Sequence, residues 1–119
     1  MSKTLYINGQ WREAIDGHTW DVISPADGRV VATVAEATAA DVELAIASAR
    51  SAFDHGDFPN WGFERRSELV GKIADLMERD LAILAKLESD DTGKRLIEAE
   101  YDIADVIACF RHFASIGKK

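Results

Sequence analysis

The chain has no second cysteine, so Cys109 cannot form an internal disulfide, and no Cys/His spacing suggests zinc. Proline is scarce, with two in 119 residues. No apolar run approaches membrane-spanning length. The opening MSKTLYINGQW has no charged region leading into an apolar stretch, so no secretory signal is expected. Basic residues are outnumbered, 14 against 21 acidic, for a net charge of −7. Nucleic acid needs a basic footprint, which excludes it as the main partner. These absences together predict a chain in a reducing, cytoplasmic setting, bound neither to membrane nor to nucleic acid.

Apolar residues make up 47% of the sequence and charged ones 29%, the balance of a folded globular protein. The length suits one compact domain. Residues 1–36 read as strands and turns. Asn8-Gly9, between Tyr6-Ile7 and Gln10-Trp11, is a strong hairpin signal, because a tight type I′ turn needs positive φ at both central positions. Pro25-Ala26-Asp27-Gly28 predicts a second turn between WDVIS and the β-branched run RVVATV.

From Thr38 to about residue 116 the apolar period becomes helical. Thr38 is the expected N-cap, with Asp41 in the first turn, where an acid offsets the helix dipole. Val42, Ala45, Ile46, Ala49, Ala52 and Phe53 share one face, and DHGDFPNWG ends the helix. Leu69, Ile73, Leu76 and Met77 form a second stripe, and Leu81, Leu84 and Leu87 a third. The two are out of phase, which predicts a break near Asp80. A last helix is expected from about Lys94 to Ser115. Its apolar face would be Ile97, Tyr101, Ala104 and Ala108, with Ile103, Ile107 and Phe110 beside them. The predicted class is α+β: N-terminal β-hairpins, then three or four α-helices.

Three readings compete for LESDDTGK at residues 87–94. A phosphate cradle needs a further glycine separated by four residues from Gly-Lys and a hydroxyl residue after it; here Asp90 and Asp91 precede Gly93, and Arg95 follows Lys94. The helix stop is the better reading, with Gly93 in a left-handed conformation. A carboxylate-based cation site stays open. Cys109 lies in an apolar helical pattern, so a core position is expected, with His112 partly exposed and no third group to make a catalytic set. Asp102 and Asp105, three apart, form a small negative patch on one side of a helix.

Taken in order, YINGQW, DVISPADGRVVATVAEAT, DVELAIASARSAF and LESDDTGK resemble the N-terminal part of the NAD(P)-dependent aldehyde dehydrogenases, from Leu5 to Ser115. The resemblance implies a piece of that family's α/β fold. It also implies a monovalent-cation site, for K+ or Na+, using Asp91 and the backbone carbonyls of Val22 and Ile23, although Ser24 stands where Asn is usual. DIADVIACFRHFAS is similar to the substrate-channel helix of betaine and amino-aldehyde dehydrogenases, which would put Asp102 and Asp105 at the channel mouth. There they would attract a cationic aldehyde.

In complete family members a Cys thiolate attacks the aldehyde, hydride passes to NAD or NADP, and a Glu-activated water releases the acid. None of the segments that carry those groups occurs here, and neither does a Gly-rich cofactor turn. The resemblance thus implies a truncated part of the family fold that is inactive alone, with no catalytic and no cofactor-binding residue; Cys109 belongs to the channel-helix pattern. Helix faces left uncovered would favour a homo-oligomer or other self-association. A helical interaction module without catalysis is the alternative.

Overall fold

The computed structural model describes residues 2–116, and the chain divides into two compact units, Met1–Pro59 and Asn60–Lys119.

In the first unit, β2 (Leu5–Ile7) and β3 (Gln10–Arg12) form an antiparallel hairpin with Tyr6 opposite Trp11. Asn8 and Gly9 both take positive φ, 53° and 75°, as the two-residue turn demands. A three-stranded sheet has the order β1 (Ser2–Lys3), β5 (Val30–Ala35), β4 (Thr19–Ile23); β1 runs parallel to β5, and β4 antiparallel. The expected turn at 25–28 is present, closed by the Gly28 N–H donating to the Ser24 carbonyl at 2.8 Å.

Helix α1 (Ala39–His55) begins at Thr38, whose hydroxyl accepts from the Asp41 N–H. Asp41 does more than offset a dipole. Its Oδ2 accepts from the Thr38 N–H (3.0 Å), the Thr38 hydroxyl (2.8 Å) and the Ile15 N–H (3.1 Å), and the residue is fully buried. One carboxylate therefore caps α1 and ties the 13–18 loop to it. The Thr38 N–H bond, ahead of those from Ile15 and the Thr38 hydroxyl, holds the Asp41 carboxyl below its ordinary value of 3.8.

The apolar stripe expected to bury α1 does not do so. Val42, Ile46 and Phe53 are exposed, while Asp41 is buried and Ala45 and Ser48 are half-buried. The side of α1 turned inward is the polar and small one.

The second unit contains α2 (Phe63–Arg79), α3 (Leu81–Thr92) and α4 (Leu96–Ile116). The break near Asp80 is there, and Asp80 gives no side-chain cap because its carboxylate accepts from Arg79 Nε (2.8 Å) and an Arg79 terminal nitrogen (2.7 Å). Burial again departs from the stripe of large side chains. On α2, Ser67 and Ala74 are buried and Val70, Gly71 and Met77 half-buried, whereas Leu69, Ile73 and Leu76 face outward. Leu81 and Leu84 flank buried Ala85 on α3, and Leu87 is exposed. On α4 the packed face is Ala99, Ile103, Ile107, Phe110 and Ala114; Ile97, Tyr101, Ala104 and Ala108 lie outside.

Small side chains explain the difference. A Cβ on Gly71 would stand 3.9 Å from the Ala114 Cβ, so α2 and α4 meet almost backbone to backbone. Where helices come that close, alanine is covered completely, and bulkier neighbours are forced to the flanks. Five of the six buried apolar residues among those described are alanine; Ile107 is the other.

Asp41 is the natural test of the first unit. A carboxylate whose folded pKa is depressed contributes stability above its unfolded value and loses it as pH falls through the folded value. Asp41→Asn should lower the melting temperature at pH 7, and the gap to the parent should close as the pH drops below 3.8. Thermal melts of both proteins across acid pH would measure it; a gap independent of pH would contradict the assignment.

Candidate functional site

The sequence-selected residues fall on three elements. Val22 and Ile23 end β4, which among the described residues is an edge strand paired with β5. Val22 pairs with Ala32 but Ile23 with Val30, so Val31 is the extra residue of a bulge at this point. Val22 is half-buried and Ile23 exposed. Ser24 is buried: its N–H donates to the Arg29 carbonyl at 2.9 Å, and its hydroxyl accepts from the Ala26 N–H at 3.3 Å. Its side chain is thus occupied inside the turn.

Asp91 lies in the last turn of α3 and is exposed. The DDTGK segment is a helix stop: Gly93 has φ 73° and closes α3, its N–H donating to the Ser89 carbonyl at 3.0 Å. Acids in the last turn of a helix oppose its dipole. Asp90 is paired with Lys86, but Asp91 forms no ion pair among the described residues. The described residues hold no group of three or more His, Cys, Asp or Glu placed for a metal. Carbonyl and carboxylate oxygens are hard donors, of the kind that alkali and alkaline-earth cations take rather than zinc. Val22 and Ile23 belong to the first compact unit, Asp91 to the second.

Helix α4 carries the other candidates. Its packed face fixes what lies opposite: Tyr101, Asp105, Ala108 and His112 line the outward side at spacings of three and four. Asp105 is exposed and unpaired among the described residues. Asp102, half-buried at the flank, is not free. Lys94 reaches across the turn between α3 and α4 and pairs with both Asp102 and Glu88, the latter at 2.7 Å. The bond it donates to Asp102, then that to Glu88, raises the Lys94 ammonium well above its ordinary value. The expected two-acid patch is therefore one neutralised acid beside one free acid.

Cys109 is exposed, which corrects the core position expected from its apolar neighbours. Residue 109 sits beside the stripe of buried Ile107 and half-buried Phe110 but turns past it toward solvent. His112 is exposed, with its ring edge-on to Phe113 at 5.5 Å, and no third group completes a nucleophilic set among the described residues.

Two features escaped sequence reasoning. One is the Lys94 strut, hidden because its partners lie six residues before it and eight after. The other is a groove of about 440 Å³ between α2 and α4, floored by Ser67, Gly71 and Ala114. Arg111 crosses its rim to Asp75 at 3.0 Å and Glu78 at 2.6 Å. The groove contains none of the residues selected from sequence. No helix among the described residues is long and apolar enough to cross a membrane.

Comparison with known proteins places these elements in context. Residues 11–119 match the model of the aldehyde dehydrogenase family. The chain is 41% identical over 119 residues to betaine aldehyde dehydrogenase from Bacillus subtilis, covering all of this chain and 24% of the relative. It is 46% identical over 110 residues to aldehyde dehydrogenase family 2 member C4 of Arabidopsis thaliana, covering 92% and 21%. Among solved structures, betaine aldehyde dehydrogenase from Staphylococcus aureus in complex with NAD+ superposes with a TM-score of 0.94 at 38% identity, over 98% of this chain and 23% of that one. The chain thus spans about a quarter of the length of the proteins it matches.

The Lys94 strut makes a prediction with a defined sign. A lysine whose folded pKa is raised contributes stability that is complete below its unfolded value, here 10.5, and is lost only as pH rises through the folded value. Lys94→Met should lower the melting temperature of the helical unit by a few degrees at pH 7 and in low salt. The loss should shrink in 1 M salt, about where screening reaches contact distance. A melt that is unchanged by the substitution in low salt would show that the strut contributes nothing.

Proposed function

This chain belongs to the aldehyde dehydrogenase family, and on that premise we propose that it forms the N-terminal part of the cofactor-binding domain of an NAD(P)-dependent enzyme. The enzyme oxidises a cationic aldehyde, of the betaine or amino-aldehyde kind, to its acid. The observation that carries this reading is the outward face of α4, where exposed Asp105 follows exposed Tyr101 by one helical turn. A carboxylate beside an aromatic ring suits a quaternary or protonated amine, one by charge and the other by its π face.

The bound nicotinamide cofactor would supply the hydride acceptor, and the attacking thiolate, general base and oxyanion amide come from residues outside these 119. What this chain supplies is selection and support. Asp105 raises the local concentration of cationic substrate, and Lys94 holds Asp102 and α4 in place. By itself the chain turns over no aldehyde. A reducing, cytoplasmic setting suits its single free thiol.

A chimaera tests this reading. The residues of the Bacillus subtilis betaine aldehyde dehydrogenase that match this chain are replaced by residues 1–119, and NADH formation is followed with betaine aldehyde and with a neutral aldehyde of similar size. The chimaera should be active on both, and Asp105→Asn should raise KM for the cationic substrate about fivefold, the scale of one partly screened charge contact, while leaving the neutral one unchanged. Equal effects on both substrates would rule out the charge-selection role.

The interaction reading has its own support in the uncovered side of α1. Val42, Ile46 and Phe53 are 47%, 57% and 64% exposed on one helix face. Apolar surface gathered on one face is ordinarily covered. In isolation the chain self-associates through it. Sedimentation should therefore find a concentration-dependent dimer or larger species that Phe53→Glu shifts to the monomer; a parent chain monomeric at high concentration would refute this.

A further inference from the structure

Three places in the chain put a glycine directly after an Asn or Asp: Asn8-Gly9, Asp16-Gly17 and Asp27-Gly28. Each could in principle form a cyclic imide, in which the glycine backbone nitrogen attacks the preceding side-chain carbonyl carbon. Glycine permits it because no Cβ shields the nitrogen. The structure separates the three sharply.

At the two Asp-Gly sites the nitrogen is committed. Gly17 N–H donates to the Ala14 carbonyl at 2.9 Å, and Gly28 N–H to the Ser24 carbonyl at 2.8 Å. Their carboxylates are held as well. Asp16 accepts from the His18 N–H at 3.0 Å; Asp27 accepts from the Arg29 N–H at 3.2 Å and its Nε at 3.0 Å. The Arg29 bonds keep Asp27 ionised, the less electrophilic form.

Asn8-Gly9 differs on every count. The side chain is a neutral amide on an exposed residue. The ladder closes at the pair Ile7 and Gln10, so the Gly9 N–H at the tip lies outside it. Nothing crowds the tip: the atom nearest a Cβ on Gly9 would be the Tyr6 hydroxyl at 4.0 Å. Asn8 also carries a φ of 53°, a conformation that costs any residue with a Cβ. Its Oδ1 accepts one long bond, 3.4 Å, from the Ser48 hydroxyl of α1.

We propose that Asn8 is a self-modification site that converts by deamidation and, in doing so, unfastens the β2–β3 hairpin from α1. Hydroxide removes the Gly9 amide proton, and the nitrogen bonds to the Asn8 Cγ. The Cγ–Nδ2 bond breaks, and the amide nitrogen leaves as ammonia with a proton from water. Water then opens the five-membered imide at either carbonyl, leaving an aspartyl or an isoaspartyl linkage to Gly9; no electrons are exchanged. Either product puts a carboxylate where Ser48 met an amide. The isoaspartyl form also adds one carbon to the backbone of a turn that tolerates only two residues, so the pairings of Leu5 with Arg12 and Tyr6 with Trp11 lose their register.

The chain carries its own control, since its other asparagine, Asn60, is followed by Trp61. The purified chain is incubated at mildly alkaline pH beside a synthetic peptide of residues 5–11, and both are sampled by peptide mass analysis and isoaspartyl methyl-ester labelling. The fragment containing Asn8 should gain the mass of oxygen for NH, faster at higher pH, while the Asn60 fragment stays unchanged. Tryptophan fluorescence should drift in step with the conversion and stay constant in Asn8→Gln. An Asn8 amide that persists in the folded chain while the peptide loses its own would overturn the proposal. Conversion without any fluorescence change would overturn the unfastening.

Discussion

The close approach of α2 and α4 sets everything that the helical unit presents to its surroundings. Because Gly71 and Ala114 let the two backbones nearly touch, α4 is fixed in rotation, with Ala99, Ile107 and Ala114 inward. Its opposite side is then determined by helix geometry alone. Tyr101, Asp105 and His112 face out because alanines face in. A side chain bulkier than alanine at position 71 would meet Ala114 and press α4 away, moving the side chains proposed to meet substrate without touching any of them.

Local chemistry was legible in the sequence wherever the backbone itself demanded a residue type. Asn8-Gly9, the turn at 25–28, the Thr38 cap and the Gly93 stop all follow from φ values or orphan hydrogen bonds that few residues satisfy, and the break at Asp80 from a change of phase in the apolar stripe. Helix existence was legible too. Helix facing was not, because periodicity detects large apolar side chains, and here the packed faces use small ones. Ile73 and Leu76 carry the period, while Ser67, Gly71 and Ala74 make the contact. The same error put Cys109 inside. Long-range polar ties were equally hidden: nothing in a linear pattern announces that Asp41 accepts from Ile15, 26 positions earlier.

Acidic residues in this chain illustrate how environment, rather than type, assigns a role. Asp41 is buried among donors and acts as a structural acceptor; Asp102 is matched by Lys94 and acts as an anchor; Asp105 has neither donors nor counter-ion among the described residues. Of these three only the last keeps an uncompensated charge, and only such a charge can select a cationic ligand at a distance. A net charge of −7 therefore overstates the attraction any one surface offers. That charge is what is left once every base is set against an acid, so it is spread over the surface, and salt screens it further.

The distribution of apolar surface argues in the same direction as the family assignment. A chain that folded for itself alone would be expected to bury its leucines, isoleucines and aromatics and expose its alanines. Here Ile46, Phe53, Ile83, Tyr101 and Phe113 are exposed, and alanines form the core. Alanine burial contributes little hydrophobic free energy, because each covers so little apolar area. What it provides is proximity, a scaffold in which helices sit close and display large side chains outward. Such a scaffold gains most of its stability only when those side chains are covered in turn. In a family whose members are about four times this length, the uncovered faces of α1 and α4 are where a covering surface would make the largest difference to both stability and the shape of the site.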